Sequence, residues 1–291
     1  IVGITMSREG EGVYRIERVR AGSPAQEAGV GVGWTLNTVD GGSGWSPEME
    51  VVDGQTIAVR FVDDKGVVRP VMLTPRQMDP LPPFVADRSR PGVLVLRVEA
   101  FEPGLGRWMG EQLAGLSPQT DVVIDLRSNP GGLLVEADAV LSCFLPKDQF
   151  WATRTSRSGQ AIKMAVTSKC GDLGAPVIND LAVLIDAASR SAAELTPAAL
   201  QEAGRAIVVG QRSAGSVLIS QETNLPDGGR LTLSRANFVT AGGVRLEKRG
   251  VDPDLVVARA ETEDDIGLST AIRALGPGHV DVRAEPQSAG P

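Results

Sequence analysis

The sequence predicts a two-domain α+β/α/β chain: a mostly-β domain over residues 1–78, an α/β domain over residues 84–275 and a C-terminal tail over residues 276–291. Three observations predict it. Apolar and polar residues alternate at period two in the N-terminal part, as in half-buried strands. From residue 84 onward, short continuous apolar runs alternate with helical stretches, the pattern of strands covered on both faces. Between the two regions, Asp79-Pro80-Leu81-Pro82-Pro83 reads as a stiff, Pro-rich linker.

In the first region, residues 13–19 alternate as a half-buried strand. Ser23-Pro24-Ala25-Gln26-Glu27-Ala28-Gly29 signals a short helix, with Ser23 as cap, Pro24 at the first helical position and Gly29 at the end. Residues 56–62 and 67–73 are strands joined through Asp63-Asp64-Lys65-Gly66. In the second region, residues 92–98, 121–126, 181–185 and 206–209 are strands, the middle two apolar enough to be buried on both faces. Helices are expected over 104–116, about 133–144, from the Ser191 region to Gly204, and 261–275. Pro197 lies past the first turn of the third of these, so a kink there, or a restart with Thr196 as cap, is expected. The last helix begins acidic, with Asp264 and Asp265 expected in its first turn.

Composition narrows the chemistry. A formal net charge of -7 argues against nucleic-acid binding, which needs a basic footprint. One histidine, His279, and two cysteines cannot build a His-rich or Cys-rich metal site, and no cofactor is expected. The lysines are Lys65, Lys147, Lys163, Lys169 and Lys248; the remaining cations are arginines, which cannot act as bases near neutral pH. Any catalytic base must come from this short roster. His279 sits beside the tail and reads as solvated. Cys143 and Cys170 permit one disulfide and fit a secreted or a reduced cytosolic protein equally. The start at Ile1 leads to the expectation of a lost signal or anchor, and with it membrane proximity.

Three segments can carry chemistry. Asp125-Leu126-Arg127-Ser128-Asn129-Pro130-Gly131-Gly132 takes a buried strand through two glycines into a helix. Free N–H groups at such a helix start attract negative charge, as an oxyanion site requires. The same turn is explained by a strand-to-helix connection that merely needs glycine. Asp186-Ala187-Ala188-Ser189-Arg190-Ser191 places a serine at a second strand-to-helix turn, where a nucleophile stands exposed above a sheet. Ser191 and Glu194 also form an S-x-x-E capping box, which accounts for both without catalysis. The third segment, Gly210–Val217, is by itself a polar loop. At the N-terminus, Val2, Gly3 and Ile4 suit a loop that binds a peptide carboxylate beside a strand edge, or an ordinary strand start.

Taken in order, these pieces resemble the carboxy-terminal processing peptidases, PDZ-containing serine endopeptidases. The matching stretches are Gly3-Ile4, Ala21–Ala25 with Ala28-Gly29, and Val39-Asp40-Gly41. They continue with Asp125-Leu126-Arg127, Asn129-Pro130-Gly131-Gly132, Ser189–Glu194, Ala199-Leu200-Gln201, Gly204-Arg205-Ala206, Val209-Gly210 and Gly250–Asp254. The resemblance implies a PDZ domain over 1–78, a crotonase/ClpP-like peptidase core over 84–275, protein or peptide substrates, and an extracytoplasmic location in the periplasm, cell envelope or outside the cell. A Cys143–Cys170 bridge would agree with that location. The resemblance implies Ser191 as nucleophile, an oxyanion hole from Ala192 and a glycine of Gly131-Gly132, and peptide binding by Val2, Gly3 and Ile4.

The resemblance also puts a lysine base 25 residues after the nucleophile, where this chain has Ser216. The orienting Gln falls on Ser220, with Gln221 adjacent, and an alternative lysine position, two residues after Ser191, is Ala193. Lys248, Lys163 and His279 are the substitutes elsewhere in the chain. Two readings follow: a serine endopeptidase with an atypical or missing base, and a non-catalytic pseudoprotease that binds polypeptide or scaffolds a partner. A crotonase-like acyl-thioester enzyme shares the general look of the core, but no PDZ-like region is expected in one.

Overall fold

The computed structural model describes residues 1–8, 13–39, 42–43, 52–225, 229–257 and 265–276. Asp40, Gly41, the start of the expected last helix (261–264, with Asp264), His279 and the tail beyond Gly276, all named above, lie outside the described residues. Three sheets organise the rest.

The first sheet contains β1 (Ile4–Arg8), β2 (Tyr14–Val19), β3 (Thr35–Val39), β4 (Gly42–Ser43), β5 (Ile57–Val62) and β6 (Val68–Leu73). Its order is β1-β2-β3-β5-β6, with β4 on β3, and every pairing is antiparallel. The short helix α1 (Pro24–Glu27) lies between β2 and β3, where Ser23 Oγ accepts from the Gln26 N–H as the capping signal predicts. Ile16, Leu36, Val59, Phe61 and Leu73 form its apolar core with Ala25 and Val30.

The second sheet contains β7 (Phe84–Asp87), β8 (Val93–Val98), β9 (Asp121–Asp125), β12 (Leu181–Ile185), β13 (Ile207–Gly210) and β16 (Leu255–Val256). Their order is β16-β13-β12-β9-β8-β7, parallel except for β7 at one edge. The unbroken apolar runs have a simple cause. Leu181, Val183 and Ile185 enter the core built around α2 (Leu105–Leu113), α3 (Leu134–Ser142) and α4 (Ala192–Glu202). Ala182 and Leu184 point to the other face, against α5 (Ile266–Leu275). With both faces covered, a strand has no polar side to present. Each fully buried aliphatic side chain contributes about 1.5–3 kcal/mol. A third, antiparallel sheet, β10 (Phe150–Ser156), β11 (Ala161–Ala165), β14 (Ile219–Asn224) and β15 (Arg230–Thr240), runs in the order β11-β10-β15-β14 and closes one side through Phe238 and Trp151.

The restart at Thr196 and the first-turn place of Asp265 are corrected. Helix α4 does not restart at Thr196: it runs from Ala192 to Glu202 through Pro197. Pro197 removes only the N–H that would meet the Ala193 carbonyl, and the burial of Leu195, Ala198, Ala199 and Leu200 holds the helix across it. Asp265 is the N-cap of α5 and not a first-turn residue, its carboxylate accepting from the Leu268 N–H. A cap binds the orphan amides directly, which a first-turn acid does not. Cys143 and Cys170 form a disulfide within the core between the end of α3 and the segment ahead of β12. Among the described residues, no helix is long and apolar enough to cross a membrane.

Candidate active site

Strands β9, β12 and β13 are parallel neighbours, so the turns leaving their C-terminal ends meet in one crevice. This is where open α/β sheets hold ligands. The three turns are the three segments singled out above, which the sheet order brings together across more than 80 residues of sequence.

The first turn is built around Asn129, which is fully buried. Its Nδ2 donates to the Val98 carbonyl at 2.8 Å, and its Oδ1 accepts the Gly131 N–H at 2.7 Å. The Gly131 carbonyl accepts from Phe101, and the Phe101 carbonyl from Leu133, both at 2.8 Å. The turn is thereby stitched to the end of β8. Gly131 has φ 93°, and a Cβ there would stand 2.6 Å from Ser191 Cβ and 3.0 Å from the Ala192 nitrogen. Only glycine allows the two turns to approach so closely. The two glycines are not equivalent: the Gly131 N–H is consumed by Asn129, whereas the Gly132 N–H has no partner among the described residues.

The second turn is held by Asp186, whose carboxylate accepts from the N–H groups of Ser128, Ala188 and Ser189 at 2.9–3.0 Å. Ser189, fully buried, donates its hydroxyl to the Leu126 carbonyl at 2.8 Å and ties the first turn to the second. Ser189 therefore serves the scaffold, and Ser191 stands at the exit. Ser191 has φ 55° and ψ −117°, a left-handed backbone that an L-residue adopts at a cost of about 1–3 kcal/mol. Such strain concentrates at functional turns. The Ala192 N–H, at the first position of α4, has no partner among the described residues.

Glu194 has the largest role that sequence reasoning missed. It is fully buried, and every partner of its carboxylate is a donor. Oε1 accepts from Ser213 Oγ at 2.6 Å and from the Gly215 N–H at 2.7 Å. Oε2 accepts from the N–H of Ser216 at 2.8 Å and of Ser191 at 3.1 Å. The predicted capping box is present, and the same carboxylate also anchors the third loop beneath the serine. The S-x-x-E spacing flags Glu194, but nothing local marks residues 213–216 as its partners.

The third loop places Ser216 against Ser191, whose N–H donates to the Ser216 carbonyl at 3.0 Å. Ser216 is exposed and Ala193 is fully buried inside α4. Ser220 lies in β14 with its backbone opposite Ser234, and its side chain is outside the described residues, as is that of Gln221. A turn from Leu246 to Val251 packs on this loop. Val217 N–H donates to Glu247 Oε2 at 3.0 Å, Lys248 N–H to the Gly215 carbonyl at 2.7 Å, and Val251 N–H to Ser213 Oγ at 2.7 Å. Lys248 has φ 62°. Lys163 lies away from this turn, on β11, with its Nζ 5.7 Å from the centre of the Phe150 ring.

Charge beside the first turn is ordered. Arg127 bridges Asp125 at 2.7 Å and Asp265 at 2.8 Å. Burial alone would lower the Arg127 pKa, but the two carboxylates outweigh it and raise it. Burial likewise pushes Asp265 up, and the hydrogen bonds and charge of Arg127 bring it down to a net lowered value. Arg18 of β2 reaches Glu99, just past β8, at 2.7 Å. Val2, Gly3 and Ile4 lie apart from the crevice, lining a groove of about 360 Å³ with Arg18, Arg20 and Leu81. Gly3, at φ 82°, leaves no room for a side chain, since a Cβ would stand 2.2 Å from Ser23 Cβ.

Comparison with known proteins places the crevice in context. Residues 92–257, more than half the chain, match the model of Peptidase family S41. A carboxy-terminal-processing protease of Bartonella bacilliformis is 36% identical over 152 residues, covering 52% of this chain and 34% of that protein. The carboxy-terminal processing protease CtpB of Bacillus subtilis is 32% identical over 163 residues, covering 56% and 32%. A carboxyl-terminal-processing protease of Synechocystis sp. is 30% identical over 261 residues, covering 81% of this chain and 57% of that one. The chain thus spans between about a third and 57% of the length of these relatives. Among solved structures, a photosystem II D1 C-terminal processing protease superposes with a TM-score of 0.70 at 22% identity, covering 95% of this chain and 76% of that one, which shows a shared fold.

Proposed function

Because the chain belongs to peptidase family S41, we propose that it is a serine endopeptidase of the carboxy-terminal processing type, with Ser191 as nucleophile. One observation carries the proposal: a serine with left-handed backbone sits against the Gly131-Gly132 turn, and the N–H groups of Gly132 and Ala192, next to this contact in sequence, have no partner among the described residues. In this reading the Ser191 hydroxyl attacks the scissile carbonyl, and the oxygen that becomes negative is received by these two N–H groups. Each such donor is worth about 10²–10³-fold in rate. Gly131 supports the hole through its close approach to Ser191 and not as a donor.

Residues 1–78 would act as a PDZ-like unit that recruits protein substrates through Val2, Gly3 and Ile4, with residues 84–275 as the crotonase/ClpP-like core. The cationic Arg20 beside the groove suits a carboxylate-bearing peptide, Arg18 being paired with Glu99. The Cys143–Cys170 disulfide supports an extracytoplasmic location, where such bonds persist.

The alternative, a pseudoprotease that only binds polypeptide, is favoured by one fact: the position facing Ser191 is Ser216, so the expected lysine is absent there. The two readings separate in one experiment. Degradation of fluorescein-labelled casein by the intact chain is compared with that by Ser191→Ala. Serine peptidase function predicts turnover lost in the variant; equal background rates in both leave only the binding role.

A further inference from the structure

We propose that Lys248 is the general base for Ser191, replacing the lysine that the chain lacks at position 216. The inference rests on Ser191 being the nucleophile. Lys248 belongs to the turn that packs directly on the loop beneath Ser191. Its N–H is bonded to the Gly215 carbonyl, and the carbonyl of the next residue, Ser216, holds the Ser191 N–H. Two peptide units therefore separate the lysine backbone from the nucleophile backbone. The packing is tight: a Cβ on Gly215 would stand 2.8 Å from the Arg249 nitrogen.

The backbone of Lys248 is itself an observation. At φ 62°, it is one of four non-glycine residues with positive φ among the described residues, with Ser128, Asp148 and Ser191. Ser128 and Ser191 both border the crevice. Glycine would occupy position 248 without strain, yet a lysine stands there. Its side chain is exposed and makes no ion pair among the described residues, so the four-carbon stem is free to swing toward Ser191. The other lysines are elsewhere: Lys163 over Phe150, Lys65 in the β5–β6 turn, Lys147 and Lys169 beside the disulfide. The charged groups nearest the loop do not compete. Glu194 is saturated by four donors, Glu247 holds the Val217 N–H, and Arg249 faces Asp252 at 3.8 Å.

The step balances without a co-reactant. Polypeptide seated over the crevice strips water from the amine, whose extra proton passes to bulk water; Nζ then takes the Ser191 hydroxyl proton as Oγ bonds to the scissile carbon, and the carbonyl electron pair moves onto oxygen. The ammonium then returns the proton to the leaving amine as the C–N bond breaks. Water, deprotonated in the same way, releases the acyl group.

The test uses the intact chain with fluorescein-labelled casein, beside Ser191→Ala. Lys248→Gly removes the amine and relieves the backbone strain, so it is expected to keep or raise the melting midpoint while turnover falls about 10²–10⁴-fold. Lys248→Arg keeps the stem and charge but cannot accept a proton, and is expected to fall similarly. Adding Ser216→Lys to Lys248→Gly is expected to restore turnover. Folded Lys248→Gly or Lys248→Arg with at least half the parent activity overturns the proposal while leaving Ser191 as nucleophile. Absence of any Ser191-dependent turnover in the parent overturns both.

Discussion

Replacing Glu194 with glutamine tests whether one buried carboxylate holds the crevice together. The amide can keep its oxygen toward the N–H groups of Ser191 and Ser216, now 3.1 and 2.8 Å from Oε2. Its NH₂ then faces Ser213 Oγ, which can turn to accept, and the Gly215 N–H, which cannot. Leaving that one buried donor unpaired costs about 1–3 kcal/mol, and the two surviving bonds each lose about 1 kcal/mol with the charge. Relief of the desolvated charge offsets part of this. The expected net loss is about 2–4 kcal/mol. Urea unfolding, followed by tryptophan fluorescence, measures it, and amide exchange at Gly215 and Ser216 locates it. A loss under about 1 kcal/mol with unchanged exchange at both amides would refute the reasoning, because it would mean that the donors find other partners.

Three further outcomes are expected. Gly131→Ala forces a Cβ to 2.6 Å from Ser191 Cβ at a left-handed position; a stability loss of about 1–3 kcal/mol is expected, with a larger fall in kcat than in KM, read from denaturation and casein kinetics. Opening the Cys143–Cys170 bridge by Cys143→Ser with Cys170→Ser releases a loop spanning 27 residues; about 3–4 kcal/mol should be lost, and thiol titration of the unfolded parent should find two thiols only after reduction. Asp265 has a folded pKa below its unfolded value, so its contribution is full above the unfolded value and fades as pH falls through the lowered one. Asp265→Asn should therefore be less stable than the parent at neutral pH and converge with it in acid, as urea midpoints against pH would show.

Much of the fold was legible because its causes are local. Alternation in residues 13–19 and the unbroken run Leu181–Ile185 reflect one and two buried faces, and the strands formed within a residue or so of the expected bounds. Ser23 and Pro24 announced α1 because a cap and a first-turn proline act on adjacent backbone. The restart expected at Thr196 did not form, since a local rule against proline yields when residues 192–200 of the helix are buried. The site was legible as three turns but not as one crevice. Asn129 had no visible role until its amide was seen joining Val98 to Gly131.

By itself, the sequence determined the periodicities, the glycine turns, a serine at a strand exit and the absence of lysine at positions 193 and 216. Those properties are carried by single residues and their neighbours. Only the tertiary structure decided which glycine N–H is left without a partner among the described residues, that Glu194 anchors residues 213–216, that Cys143 meets Cys170, and that Lys248 lies against the loop under Ser191. The contacts of Glu194 and Lys248 depend on the parallel order β13-β12-β9, which sets turns distant in sequence side by side. Strand order is fixed by how the whole core buries its apolar faces, and no local stretch of sequence encodes it.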